Sequence, residues 1–274
     1  MTGVQTCALP ILNIHAVEVE RAAAKPLMSG FHALFSVGGF AGATAITFLL
    51  SANVRPFAST LLASLLMTIA MVLAAPRLLH ASRSSEAPLI VAPHGIVLLL
   101  AALATVMFLV EGAILEWSAL LVTAKGFVGK AQGGLGYSIF AIAMTAGRLG
   151  GDFVTSRVGD RATLFWGGLA TMAGFALLLA APIPAVAMSG FLLIGLGASN
   201  IVPVLFRSAG AQRAMPAGLA VAAIATAGYA GILVGPAAIG FIAKAAGLPV
   251  AFWLLAALVG AVVLCARAAT ARQT

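Results

Sequence analysis

Apolar runs long enough to cross a bilayer follow one another along this chain, and that repetition leaves few folds open. Eight of them, roughly 27–50, 56–75, 95–118, 133–154, 162–181, 185–207, 216–243 and 248–268, could each span ~30 Å of hydrocarbon as a helix. The breaks between them carry proline, glycine or charge: Arg55-Pro56, Pro76-Arg77, Lys125-Gly126, Gly159-Asp160-Arg161, Pro182-Ile183-Pro184, Arg213 to Pro216 and Gly247-Leu248-Pro249. Strand-type alternation is weak everywhere. Hydrophobic residues make up 62% and charged residues 8%, against about 25% charged in soluble domains. Such a chain cannot cover itself with polar surface. An all-α polytopic membrane protein in contact with the lipid bilayer is expected.

Loop charges give an orientation. If the runs alternate direction, one side holds Arg55, Lys125, Lys130 and Lys244, and the other holds the remaining eleven of the fifteen Lys and Arg residues. The positive-inside rule places the richer side, with both ends of the chain, in the cytoplasm. The net charge of +8 is scattered between apolar runs, with no basic patch interleaved with aromatics, so no nucleic-acid partner is expected. Cys7 and Cys265 form neither a metal spacing nor a disulfide framework, and the four histidines lack ligand spacing. No metal, cofactor loop or Ser/His/Asp order is found, and no enzymatic activity is expected.

Only seven residues are acidic, and two lie in Glu111-Gly112-Ala113-Ile114-Leu115-Glu116-Trp117-Ser118. A charged side chain at the bilayer centre costs at least ~2.5–3.5 kcal/mol, so it persists mainly where it faces protein or a water-filled cavity. Glu111 lies about 24 Å from a helix start near Gly95, inside hydrocarbon. It is read as a substrate- or proton-binding group, with a structural interhelical hydrogen bond as the alternative. Glu116 and Trp117 fall further out and are expected at the interface.

Other candidates are less specific. Arg148 and Asp152 are four apart and can pair on one helix face, while Gly147 and Gly151 allow close helix approach. Pro203 should kink the sixth run, leaving Asn200 to bind solute or rescue freed carbonyls. Thr226 and Tyr229 lie one turn apart on a glycine-rich run and could face a cavity; packing is the alternative for both Asn200 and Tyr229. His32 is read as structural. Gly39-Phe40-Ala41-Gly42 aligns with Gly228-Tyr229-Ala230-Gly231, six runs later, as parallel six-helix halves would give. Gly38, Gly42, Gly231 and Gly235 are the expected helix-packing glycines. The polar stretch 76–93 divides two runs from six and is read as a central linker.

These motifs resemble the major facilitator superfamily, in a bacterial sugar- or fucose-permease-like subgroup. Asn13-x-His15-Ala16-Val17-x-x-Glu20-Arg21 and Met28-Ser29-x-x-His32-x-x-Phe35-Ser36-x-Gly38-Gly39-x-x-Gly42-Ala43 are similar to its helix 4–5 junction and helix 5. Glu111-Gly112-x-x-x-Glu116-Trp117-Ser118 resembles helix 7, where the second acid is commonly Asp. Met144-Thr145-x-Gly147-Arg148-x-x-Gly151-Asp152 resembles helix 8, and Gly228-Tyr229-x-Gly231-x-x-x-Gly235-Pro236 helix 11. The resemblance implies helices 5–12, with 12–75 a remnant of the N-terminal half and 94–274 the six-helix C-terminal half. It also implies that Glu111 lines the transport cavity and that Gly147, Arg148, Gly151 and Asp152 belong to a cytoplasmic latch, although Thr155-Ser156-Arg157 departs from the family's Asp-before-Arg pattern. The implied function is alternating-access transport of a small polar solute, a sugar among the candidates; Glu111 itself is the reason to expect coupling to protons. A monomer in a bacterial inner membrane is expected; a drug or metabolite exporter is the alternative within transport, and a membrane enzyme or scaffold the alternative outside it. Residues 1–11 resemble a translated sequencing adapter: ACT GGA GTT CAG ACG TGT GCT CTT CCG ATC reads Thr2 to Ile11, and a GTG start would supply Met1. Genuine sequence is then expected to begin near Leu12, in a truncated chain inactive by itself.

Overall fold

The computed structural model describes residues 3–78 and 92–271. Most of the stretch read as a central linker, 79–91, lies outside the described residues, as do Met1, Thr2 and Arg272. Among the described residues the structure is all helical, without strands: α1 (Gly3–Ala23), α2 (Met28–Ser51), α3 (Pro56–Ala74), α4 (Ile96–Ala124), α5 (Leu135–Val158), α6 (Asp160–Ala180), α7 (Pro184–Ala198), α8 (Ile201–Ala211), α9 (Ala217–Ala246) and α10 (Leu248–Ala269). Seven stretches are long and apolar enough to cross a membrane: α2, α3, α4, α6, α7 with α8, α9 and α10. The eighth expected run, α5, has 24 residues and sufficient length. It falls short in apolarity because it carries Arg148, Asp152 and Arg157.

Two boundaries differ from the sequence reading, each for a local reason. α4 continues to Ala124, because Ala119–Ala124 contains no breaker before Gly126, which takes φ +71°. Glu111 is therefore the sixteenth of 29 residues, at the middle of the helix rather than in its outer half. α1 runs unbroken from Gly3 to Ala23. The sixth run splits into α7 and α8 at Ser199-Asn200, just before Pro203. Pro203 has no N–H for the Ser199 carbonyl one turn back, and its ring crowds that carbonyl.

The core is built chiefly by α4 to α10, with Ala16 and Val17 of α1 buried against it. α4 packs chiefly on α9, and α6 lies between α7 and α10. α6 and α7 meet backbone to backbone through two glycine pairs: a Cβ on Gly167 or Gly197 would approach the other's carbonyl to 2.6 Å, and Gly174 faces Gly190 in the same way. Small residues permit this approach where no hydrophobic effect drives helices together in lipid. Single glycines join two helical hairpins: Gly159 (φ +84°) between α5 and α6, and Gly247 (φ +89°) between α9 and α10. An L side chain rarely adopts that backbone, so glycine is required at both turns.

α2 and α3 stand apart from this core. Only Met28, Ser29 and Ala33 of α2 and Ser59 of α3 are buried. α2 meets α5 and α8 near its start, while its remaining length is open. The packing role expected of Gly38 and Gly42 is not realised among the described residues, since a Cβ on either would meet nothing within 4 Å. Gly231 and Gly235 do pack closely, against Thr105 and Leu109 of α4.

Candidate functional site

A cavity of about 450 Å³ opens between α2, α4, α5 and α9. Its walls are largely apolar, with Phe35, Phe40, Leu115, Phe140 and Met144 among them. Glu111 of α4 and Arg148 of α5 are the charged groups in the lining, and they pair: Nη2 of Arg148 donates to Oε1 of Glu111 at 3.0 Å. The Arg148 side chain is 8% exposed and that of Glu111 22%, so the pair is half embedded and partly open to the cavity.

Two further bonds hold the guanidinium. Nη1 donates to Ser36 Oγ of α2 at 3.2 Å, and Nε donates to the Ser199 carbonyl at 3.3 Å. Ser36 in turn donates to the His32 carbonyl. The Ser199 carbonyl is the one that Pro203 leaves without its helical donor. The break in the sixth span thus supplies an acceptor for Arg148, and the arginine stitches together α2, α4, α5 and the α7–α8 junction.

Arg148 and Asp152 do not form the i,i+4 ion pair that their spacing allows. Asp152 instead accepts from the amides of Ser29 and Gly30 at 3.0 and 2.7 Å, capping the start of α2. Two residues earlier, the amides of Leu27 and Met28 donate to Glu20 of α1 at 2.7 and 2.8 Å. A helix N-terminus exposes unpaired N–H groups and a partial positive charge, so carboxylates are favoured there.

Arg207 of α8 draws these acids together. It meets Glu20 through Nε and Nη2 at 2.6 and 3.2 Å, Asp160 through Nη1 at 2.6 Å, and Asp152 at 3.6 Å. One cation and three carboxylates thereby link α1, α5, α6 and α8, with the start of α2 attached through its backbone. Glu20, Asp160 and Arg207 read in sequence only as loop or helix-end charges. Their signal was scarcity: of seven acids in the chain, Glu20, Asp152 and Asp160 converge here and Glu111 lines the cavity.

The remaining candidates lie beside the cavity. Asn200 donates to the Gly147 carbonyl and to Ser199 Oγ, while its Oδ1 is buried against Gly151 without a hydrogen-bond partner. Gly147 and Gly151 give room for this junction: a Cβ on Gly147 would collide with Ser199 Oγ, and one on Gly151 with Asn200 and Ser29. Tyr229 packs edge-on to Phe108 at 5.3 Å between ring centroids, and Thr226 is exposed on α9. Glu116 is exposed, and Trp117 packs on α9 at Gly240. No group of acidic, histidine or cysteine side chains suited to a metal occurs among the described residues.

No protein-family model matches the chain. It is 46% identical over 260 residues to an uncharacterized MFS-type transporter of Yersinia pestis, covering 94% of this chain and 68% of that protein. It is 32% identical over 258 residues to the membrane protein MosC of Rhizobium meliloti, covering 93% and 63% of the two chains. A transporter of Sinorhizobium fredii is 29% identical over 248 residues, covering 89% and 66%. The chain therefore spans about two thirds of the length of these curated relatives. With apolar membrane-crossing helices, a charged pair in a cavity between them and this extent of identity, the chain belongs to the MFS-type membrane transporters, the major facilitator superfamily.

Proposed function

We propose that this chain forms the larger part of a secondary transporter that moves a small polar solute by alternating access, with a proton coupled through Glu111. The observation that carries this reading is the Glu111–Arg148 pair in the cavity wall, 3.0 Å apart and partly open to the cavity. A carboxylate held in that position exchanges a proton with the cavity, and its partner Arg148 also touches α2, so protonation alters a contact between the two halves. The cluster of Glu20, Asp152, Asp160 and Arg207 acts as the latch at the end where α2 begins, and the bias of loop cations makes that end cytoplasmic. Gly147 and Gly151 set the close approach on which the latch depends, while Arg148 belongs to the cavity. The transporter works as a monomer in the inner membrane of a bacterium, and the helices present in its longer relatives are needed for transport.

The test is uptake into proteoliposomes under an imposed pH gradient. The protein would be this chain completed with the parts of the Yersinia pestis relative that it does not match, screened with labelled small acids, polyols and sugars. Glu111→Gln abolishes pH-driven uptake and leaves solute exchange. Unchanged pH-driven uptake in that variant sinks the proton reading. Saturable uptake by the 274-residue chain alone overturns the requirement for further helices.

A further inference from the structure

We infer that the cavity takes a small monoanion, a monocarboxylate with a short apolar body, which replaces Glu111 on Arg148 when Glu111 is protonated. This rests on the proton reading above and names the class of solute for the same site.

The reasoning begins with charge balance. Glu111 and Arg148 are the charged lining groups, so the cavity is neutral while they are paired. Protonating Glu111 leaves a guanidinium that cannot simply swing away. Nε stays bonded to the Ser199 carbonyl and Nη1 to Ser36 Oγ, and neither acceptor changes charge. Nη2 then faces the cavity without a counter-charge, and an unpaired charge in a poorly solvated site is strongly unfavourable. An uncharged solute leaves that cost in place. A monoanion removes it, and a dianion replaces it with the opposite imbalance. One proton entering with one monoanion keeps the site neutral at every stage.

The shape and chemistry of the walls select further. A guanidinium presents parallel N–H donors that match the two oxygens of a carboxylate. Tyr137 and Ser36 add hydroxyls to the lining, while Thr145 donates its own to the Ala141 carbonyl. Around them stand Phe35, Phe40, Phe140 and Met144, which suit a short apolar body better than a ring of hydroxyls. The other titratable groups that face the pair are Tyr137 of α5 and Tyr229 of α9, towards Glu111, and His32 of α2, towards Arg148. Asp152, one turn beyond Arg148, is taken by the α2 amides and Arg207.

The inference is tested by thermal unfolding of the purified chain in detergent, which needs no transport. Probes are formate, acetate, lactate and butyrate, with glycerol, glucose and chloride at the same concentration as controls. Glu111→Gln exposes Arg148 permanently, so at least one carboxylate raises its melting temperature by about 3–6 °C at any pH. The double variant Glu111→Gln with Arg148→Gln carries no cavity charge and shows no such rise, which separates binding from any loss of folding. In wild type Glu111 occupies Arg148, so the carboxylate raises the melting temperature less than it does in Glu111→Gln. If no carboxylate stabilises Glu111→Gln beyond the double variant, or if the uncharged solutes do so equally, the inference is overturned. Proton-driven uptake of an uncharged solute, abolished by Glu111→Gln, overturns it too and leaves the transport reading standing.

Discussion

Replacing Arg207 by Gln tests the proposed latch, by measuring what the charged cluster contributes to holding one end of the bundle shut. Arg207 and Glu20 share two contacts, at 2.6 and 3.2 Å, and their side chains are 15% and 10% exposed. Deleting one partner of a buried pair costs about 3–5 kcal/mol. Glu20 keeps the Leu27 and Met28 amides, which lowers its share to about 2 kcal/mol. Asp160 is more open and adds about 0.5 kcal/mol. Asp152 stands 3.6 Å from Arg207 and retains the Ser29 and Gly30 amides, so it adds little. The sum, about 2–3 kcal/mol, shifts the balance between closed and open ends by about 30- to 150-fold. Ser29→Cys reports the opening. Its side chain is buried and its Oγ has no partner, while its contribution to the cluster comes from its backbone. With Cys7 and Cys265 replaced by Ser, labelling by a membrane-impermeant maleimide in inside-out vesicles should accelerate by that factor in Arg207→Gln. It should accelerate less in Arg207→Lys, which keeps the charge and loses the fork. A rate within roughly threefold of the parent in Arg207→Gln refutes the reasoning, since surface substitutions alone reach that range.

Pro203→Ala returns a helical donor to the Ser199 carbonyl and takes an acceptor from Arg148, so pH-driven uptake falls about tenfold while the melting temperature holds or rises. A parallel fall in both would show that Pro203 serves packing alone. Gly159→Ala, at φ +84°, costs about 1–3 kcal/mol and lowers the melting temperature, whereas Gly150→Ala, exposed on α5 with nothing within 4 Å of a new Cβ, leaves it unchanged or raised. Equal effects of the two would remove the backbone explanation. A cytoplasm-active reporter fused after Ala271 is functional, and one inserted at Gly129 is silent, if α10 ends inside and α4 ends outside; the reverse pattern inverts the topology.

The helices and the intramembrane acid were legible in the sequence because both follow from local rules. A run of twenty apolar residues bounded by Pro, Gly or Lys has one stable form in lipid, and Glu111 stood out against seven acids in 274 residues. Partners were not legible. Spacing alone offered Arg148 to Asp152, four residues away, but Glu111 and the carbonyl freed by Pro203 hold it instead. Glu20 and Arg207 are 187 residues apart, and no periodicity connects them. Trp117 packs against Gly240 of α9, a partner that no spacing in the sequence indicates.

The grip on α2 has a consequence for how this protein can vary. Asp152 and Glu20 hold main-chain amides at residues 27–30, and no side chain of α2 takes part. Any residue except proline offers the same amide, so these hydrogen bonds place no demand on the side chains of Leu27, Met28 and Ser29; what restricts Met28 and Ser29 is their burial. Gly30 is constrained by the contact itself, because a Cβ there would come within 3.1 Å of Asp152 Oδ2. Selection on this contact therefore falls on the acids of α1 and α5, and a comparison of α2 sequences would pass over the place where the two parts of the molecule are joined.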